Sequence, residues 1–159
     1  MVGLVASLWL VFVALAYLAG SAEAVSEAHR RVVMEEIAVT VSNDLVHNPG
    51  YSQTGVDWTA QDVYHPGLAH YDWESKSVEE RVLDIGKVNA LDEMLKAGRD
   101  KVREMYGLGK YNLSVGIEAG GMEYLDRLPD ADNRAVVKRL VGVQVGGVEQ
   151  DAVLTVAVY

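Results

Sequence analysis

Few side chains in this 159-residue chain have the types to do chemistry, and cysteine is not among them. Without it there are no disulfides, thiolate metal sites or cysteine nucleophiles. The histidines are His29, His47, His65 and His70. His65 and His70 share a segment with Asp62 and Asp72, which are metal-ligand types, but an i,i+5 spacing in a loop fixes no coordination geometry. Asp130, Asp132 and Asn133 offer oxygens to calcium, yet the following Gly and distant Glu of a calcium loop are missing, so they read as a polar turn. Gly107 and Gly109 lack the wider glycine pattern of a phosphate loop. The carboxylate pair Glu35-Glu36 falls on a charged helix face. The sequence therefore predicts no catalytic residue, no cofactor and no bound metal. One modification signal stands out: Asn112-Leu113-Ser114 is an N-glycosylation sequon with an allowed middle residue, which makes Asn112 the candidate glycosylation site.

The elements that would position these groups follow from the distribution of charge. Net charge is −9, and residues 1–22 carry none of it. Residues 23–47 hold five acids against two bases, and the rest of the imbalance lies beyond them. A negative surface repels phosphate, which argues against nucleic-acid binding, and it gives anionic lipid no polybasic patch to attract.

Residues 1–22, MVGLVASLWLVFVALAYLAGSA, are rich in Leu, Val and Ala. At about 1.5 Å per residue they match a hydrocarbon core of roughly 30 Å. Three readings compete. A cleaved signal peptide opens on a cationic region, and no Lys or Arg precedes Arg30. An ordinary transmembrane anchor usually has a cationic cytoplasmic flank, also missing here. A pilin N-terminus, from which a short cationic leader has been cut, explains the missing charge. The helical pattern does not stop at Ala22, because no Pro occurs before Pro49. Val25, Ala28, Val32, Val39 and Val46 recur at near-heptad spacing, with Val33, Ile37, Val41 and Leu45 as a second stripe. Glu27 and Arg31, and Arg31 and Glu35, sit i,i+4. The expectation is one helix from about Val2 to His47, some 70 Å long at about 1.5 Å per residue. Residues 1–22 are its apolar membrane or filament-core segment and residues 23–48 its amphipathic half. Burial of Leu4, Leu8, Trp9, Phe12, Val13, Leu15 and Leu18 against neighbouring subunits would build a hydrophobic core, since an unpaired apolar helix cannot stay in water.

Asn48-Pro49-Gly50 ends the helix, and residues 49–159 read as one head domain. Residues 50–82 look irregular, with Tyr51, Trp58, Tyr64, Tyr71 and Trp73 plastering the segment onto the core. Two short helices follow, separated by Gly98 and closed by Gly107 and Gly109. The period then changes to two. Leu113, Val115 and Ile117 share one face of a strand, with Asn112 and Ser114 pointing outward. Met122 to Leu128 reads as a short edge strand, Ala135 to Val145 as a strand, Gly146-Gly147 as a hairpin turn and Ala152 to Tyr159 as a buried last strand. The fold class is α+β: a long N-terminal helix and a small head with an antiparallel sheet and two short helices.

Taken in order, these pieces resemble the archaeal type IV pilin-like proteins. The residues that carry the resemblance are the uncharged N-terminal helix, Asp44 through Pro49-Gly50-Tyr51 to Asp57-Trp58, Pro66-Gly67-Leu68-Ala69, Lys87-Val88 with Leu95, Tyr106-Gly107-Leu108 leading into Tyr111-Asn112-Leu113, and the apolar end Leu154-Thr155-Val156-Ala157-Val158-Tyr159. Bacterial type IV pilins usually have Glu at the fifth mature position, where Val5 stands here; archaeal relatives commonly lack it. The resemblance implies a type IV pilin-like fold, leader removal by a prepilin peptidase, a membrane-inserted stage, and ATPase-driven assembly into an extracellular surface filament by self-association. The other function class is a monomeric membrane-anchored surface domain or a secretion pseudopilin.

Overall fold

A computed structural model describes the backbone of residues 2–119, 122–125 and 133–159, and the side chains of residues 9–119 and 133–159. Helix α1 runs unbroken over Val2–His47, as the absence of Pro requires. The chain divides into two compact units, Met1–Val33 and Met34–Tyr159, so the last turns of α1 are built into the second unit.

In that second unit the elements are β1 (Ala69–Asp72), β2 (Ser77–Asp84), α2 (Ile85–Ala97), α3 (Arg99–Met105), β3 (Leu113–Ala119), β4 (Met122–Leu125), β5 (Ala135–Val145) and β6 (Val148–Val158). Six strands form one sheet in the order β1-β2-β5-β6-β3-β4. Strands β5 and β6 pair antiparallel along their whole length from Val145↔Val148. Gly146 and Gly147 supply the positive φ values, 59° and 83°, that a two-residue turn of this hand requires. Helix α2 touches β2, β5 and β4, so the sheet curls about it. Asp84 caps α2, its Oδ1 accepting from the Gly86 and Lys87 backbone N–H groups.

One core joins all of these layers. Met34, Ala38, Val41 and Leu45 of α1 pack with Val88, Leu91 and Leu95 of α2, Val102 of α3, and the inward rows of the sheet. Those rows are Leu113, Val115 and Ile117 of β3, Val141 and Val143 of β5, and Leu154, Val156 and Val158 of β6. Of the two stripes on the amphipathic half, the second therefore supplies most of the head's packing, with Met34 and Ala38 added. Val25, Val32 and Val39 of the first stripe remain exposed, and only Val46 is buried.

The sheet corrects the antiparallel expectation: it is mixed, because β2 pairs parallel to β5 through Val82↔Gly142, Leu83↔Val143 and Asp84↔Gln144. The cause lies in residues 50–82, where β1 and the start of β2 take the place of purely irregular chain. Their ladder jumps from Ala69↔Leu83 to His70↔Glu79, an irregularity that leaves Arg81 at φ 64°. This bulge breaks the period-two pattern, so the charged run Glu79-Glu80-Arg81 does not read as a strand. After β2 the chain passes through α2, α3 and the β3-β4 pair before β5 returns beside it. A parallel neighbour needs such a long crossover.

The aromatic expectation holds for one ring of five. Trp58 is buried; Tyr51, Tyr64 and Trp73 are exposed and Tyr71 is half-buried.

The closest backbone approach lies where the chain leaves α1. A Cβ on Gly67 would fall on the Asn48 carbonyl and the Gly50 nitrogen, neither of which can move aside. We therefore expect Gly67→Ala to lower folding stability by about 2–3 kcal/mol. Gly98→Ala is the control. Its φ of 161° is ordinary extended backbone and its Cβ would meet nothing within 4 Å, so stability should barely change. Equilibrium denaturation of the chain in detergent, followed by tryptophan fluorescence, measures both.

Candidate assembly surface

In the first unit, every described apolar side chain from Trp9 to Leu18 is exposed. Trp9 and Phe12 are about 70% exposed, at 69% and 71%. Val13, Leu15 and Leu18 are exposed too, Val13 the least at 44%, together with Leu10, Val11 and Tyr17. Leu4 and Leu8 lie on the same helix, but their side chains are outside the described residues. α1 is long and apolar enough to cross a membrane. Burying each large side chain of this kind is worth about 1.5–3 kcal/mol, so the surface demands a partner, whether lipid or protein.

In the second unit, the C-terminal end of α1 is held by polar contacts. A helix end leaves its last carbonyls without intrahelical donors. Here Leu68 N–H donates to the Leu45 carbonyl at 2.9 Å, and Ala69 N–H to that of Asn48 at 3.1 Å. The Trp58 indole N–H lies between the Pro49 and Gly67 carbonyls, at 3.1 and 3.0 Å. Lys87, only 5% exposed, donates from Nζ to the Pro49 carbonyl at 2.7 Å and to that of Ala69 at 3.2 Å. Burial lowers its pKa, partly offset by Asp84 and Asp57. His65 Nε2 lies 2.6 Å from Asp44 Oδ2, and the Tyr106 hydroxyl donates to the Pro66 carbonyl at 2.7 Å. Desolvation, and then the nearby Asp44 carboxylate, push the Tyr106 pKa well above its ordinary value.

The residues singled out for chemistry are dispersed among these contacts. His65 pairs with Asp44, whereas His70 Nδ1 lies 3.7 Å from Asp84 Oδ2. Asp72 caps the β1-β2 turn: it accepts from Glu74 N–H and from the Ser75 backbone and hydroxyl, bonds that lower its pKa. Among the described residues no three His, Asp or Glu side chains converge on a common point. Gly107 and Gly109, at φ 62° and 57°, end α3. Glu35 and Glu36 are exposed on α1. Asp130 and Asp132 lie outside the described residues.

The sequon is placed differently from the expectation that both its polar residues face outward. Asn112 is half-buried, its Oδ1 3.5 Å from Arg103 Nη1, and its backbone pairs with Tyr159. Ser114 is fully buried, and its hydroxyl has no hydrogen-bond partner. Strand alternation puts Ser114 on the face opposite Leu113 and Val115, but that face is also covered at this position.

Sequence reasoning missed the role of Lys87 and Trp58. Each is a lone polar or amphipathic side chain whose partners, backbone carbonyls, leave no trace in a sequence.

Tyr106 gives a pH-dependent signature. In the unfolded chain a tyrosine ionises near 10, while the folded Tyr106 keeps its proton to higher pH. Above pH 10 the unfolded state thus binds fewer protons and stability falls as pH rises, by up to about 1.4 kcal/mol per pH unit for this group. Tyr106→Phe should cost about 1 kcal/mol at pH 7 through the lost hydrogen bond, and its stability should decline less steeply above pH 10. Paired denaturation curves at pH 7 and above 10 check both.

No protein-family model, no curated protein and no solved structure matches the chain.

Proposed function

We propose that the chain is a structural subunit, a pilin of an archaeal type IV pilus-like filament, rather than an enzyme. The observation that carries this reading is helix α1. It is continuous over Val2–His47, its described apolar side chains from Trp9 to Leu18 are exposed, and its last turns belong to the core of a folded head. A membrane tether has no need to continue as a rod that supplies head core, whereas a filament subunit does: the apolar segment buries against copies of itself and the same helix carries the head. Leu4, Leu8, Trp9, Phe12, Val13, Leu15 and Leu18 form the polymer core in this reading. The membrane holds the chain before assembly, and a prepilin peptidase and an ATPase-driven machine process and export it. No catalytic residue or metal takes part.

The alternative is a monomeric surface domain tethered by the same helix. The two differ in what buries the apolar side chains, and that is measurable. Electron microscopy of material sheared from producing cells should show filaments for the full chain. The chain lacking residues 1–22 should sediment as a soluble monomer. Filaments from the truncated chain, or a monomer as the end state of the full chain in native membranes, would overturn the proposal. Intact mass of the filament subunit reads Asn112 directly, since a glycan adds a discrete increment to the bare chain.

A further inference from the structure

The exposed surface of α1 has a finer pattern than general apolarity. Val11, Leu18, Val25 and Val32 follow one another at intervals of seven, and each is more than half exposed, from 58% to 68%. Between them, at the positions three residues on, stand the exposed small residues Ala14, Ser21 and Ala28. The Ser21 hydroxyl is satisfied within the helix by the Leu18 carbonyl, at 2.9 Å, so it leaves no unpaired donor on this line. An apolar row at period 3.5 drifts around a lone α-helix of period 3.6, and it stays on one line only if two helices wind about each other. Small residues alternating with Val and Leu let such helices approach closely.

We infer that this row is a seam at which a second copy of the chain docks in parallel, and that the seam continues past the apolar segment into the charged part of the helix. The inference rests on the filament reading and adds to it the face used and its extent. Three observations select the occupant. Lipid suits the row as far as Leu18, but Val25 and Val32 stand among Glu23, Glu27, Arg30 and Arg31, which hydrocarbon would not accept. The chain's own head takes a different row, Met34, Ala38, Val41 and Leu45, and of the seven-residue row only its far end, Val46. Charge also permits self-association here. The whole chain carries −9, but this stretch holds two acids and two bases, with Arg31 Nη2 3.4 Å from Glu27 Oε1, so two copies meet without a single-sign field between them. The apolar ends of both copies share one phase, which makes the docking parallel.

The natural absence of cysteine makes the test clean. Val25→Cys/Val32→Cys is oxidised in producing cells and run on a non-reducing gel. Positions seven apart on one helix are about 10 Å apart, too far for a disulfide within one copy. The pair therefore crosslinks only between copies, whether these lie in register or one heptad apart. Glu23→Cys/Arg30→Cys has the same spacing on the opposite side of the helix. Crosslinked species from the first variant, with the second staying monomeric, are expected. Equal crosslinking of both, crosslinking of the control alone, or none from either would overturn the seam. Microscopy of the same cells separates the two readings. Filaments without seam crosslinks sink the seam and leave the pilin standing; seam crosslinks without filaments do the reverse.

Discussion

The last carbonyls of a helix must find donors, and in this protein that need organises the head. α1 ends at His47 because Pro49 cannot continue it. The Leu45, Asn48 and Pro49 carbonyls are then satisfied by the Leu68 backbone, the Ala69 backbone, the Trp58 indole and the Lys87 ammonium. Each donor comes from a different stage of the chain. Trp58 brings the loop after the helix, Leu68 and Ala69 the entry to β1, and Lys87 the first turn of α2. The same few atoms thus fix where the sheet begins and where α2 lies. Gly50 and Gly67 are glycines because the two backbones touch there; a Cβ on Gly50 would lie 2.5 Å from the Trp58 nitrogen.

A buried ammonium is costly unless its donors are used, and Lys87 spends two on carbonyls from two separate segments. Its position is set by the cap one turn earlier, where Asp84 takes the N–H groups of Gly86 and Lys87. Asp84 is also the last residue of β2, paired with Gln144 of β5. The parallel strand pair, the start of α2 and the end of α1 are therefore consecutive links of one hydrogen-bonded chain. This connection explains why β2 joins the sheet beside β5 for only three residues, Val82 to Asp84: the strand delivers the helix cap.

What the sequence made legible follows the range of the interactions involved. α1, the Gly98 break, the Gly146-Gly147 turn and the row Leu113-Val115-Ile117 all rest on contacts within a few residues or on a clean period, and they were readable. The edge position of β4 was readable too over Met122–Leu125; the rest of that expected strand, residues 126–128, lies outside the described residues. β1 and β2 were not, because a bulge with Arg81 at positive φ erases the alternation. The mixed sheet was not, because direction of pairing depends on a crossover through two helices and two strands. Alternation misjudged Ser114, since a period-two pattern assigns faces and says nothing of what covers them. For the candidate assembly surface, the apolar identity of Trp9, Phe12, Val13, Leu15 and Leu18 was plain, but which of the two stripes beyond Ala22 would stay open depended on how the head packs.

The row that packs into the head and the seven-residue row left open differ in period. Met34, Ala38, Val41 and Leu45 step by four, three and four, which follows the natural turn of a straight helix and fits the short contact with a sheet and α2. Val11, Leu18, Val25 and Val32 step by seven each time, a repeat that departs from the straight helix by some 20° per heptad. Over a single heptad the drift is negligible. Over three it moves the row by about 60° unless the helix is wound on a partner of comparable length. The winding partner has to be a helix, and no described helix of the head approaches that length, α2 with 13 residues being the longest after α1. One row thus suits a short neighbour and the other a long one, and among the described helices α1 alone has the length that the proposed seam would need.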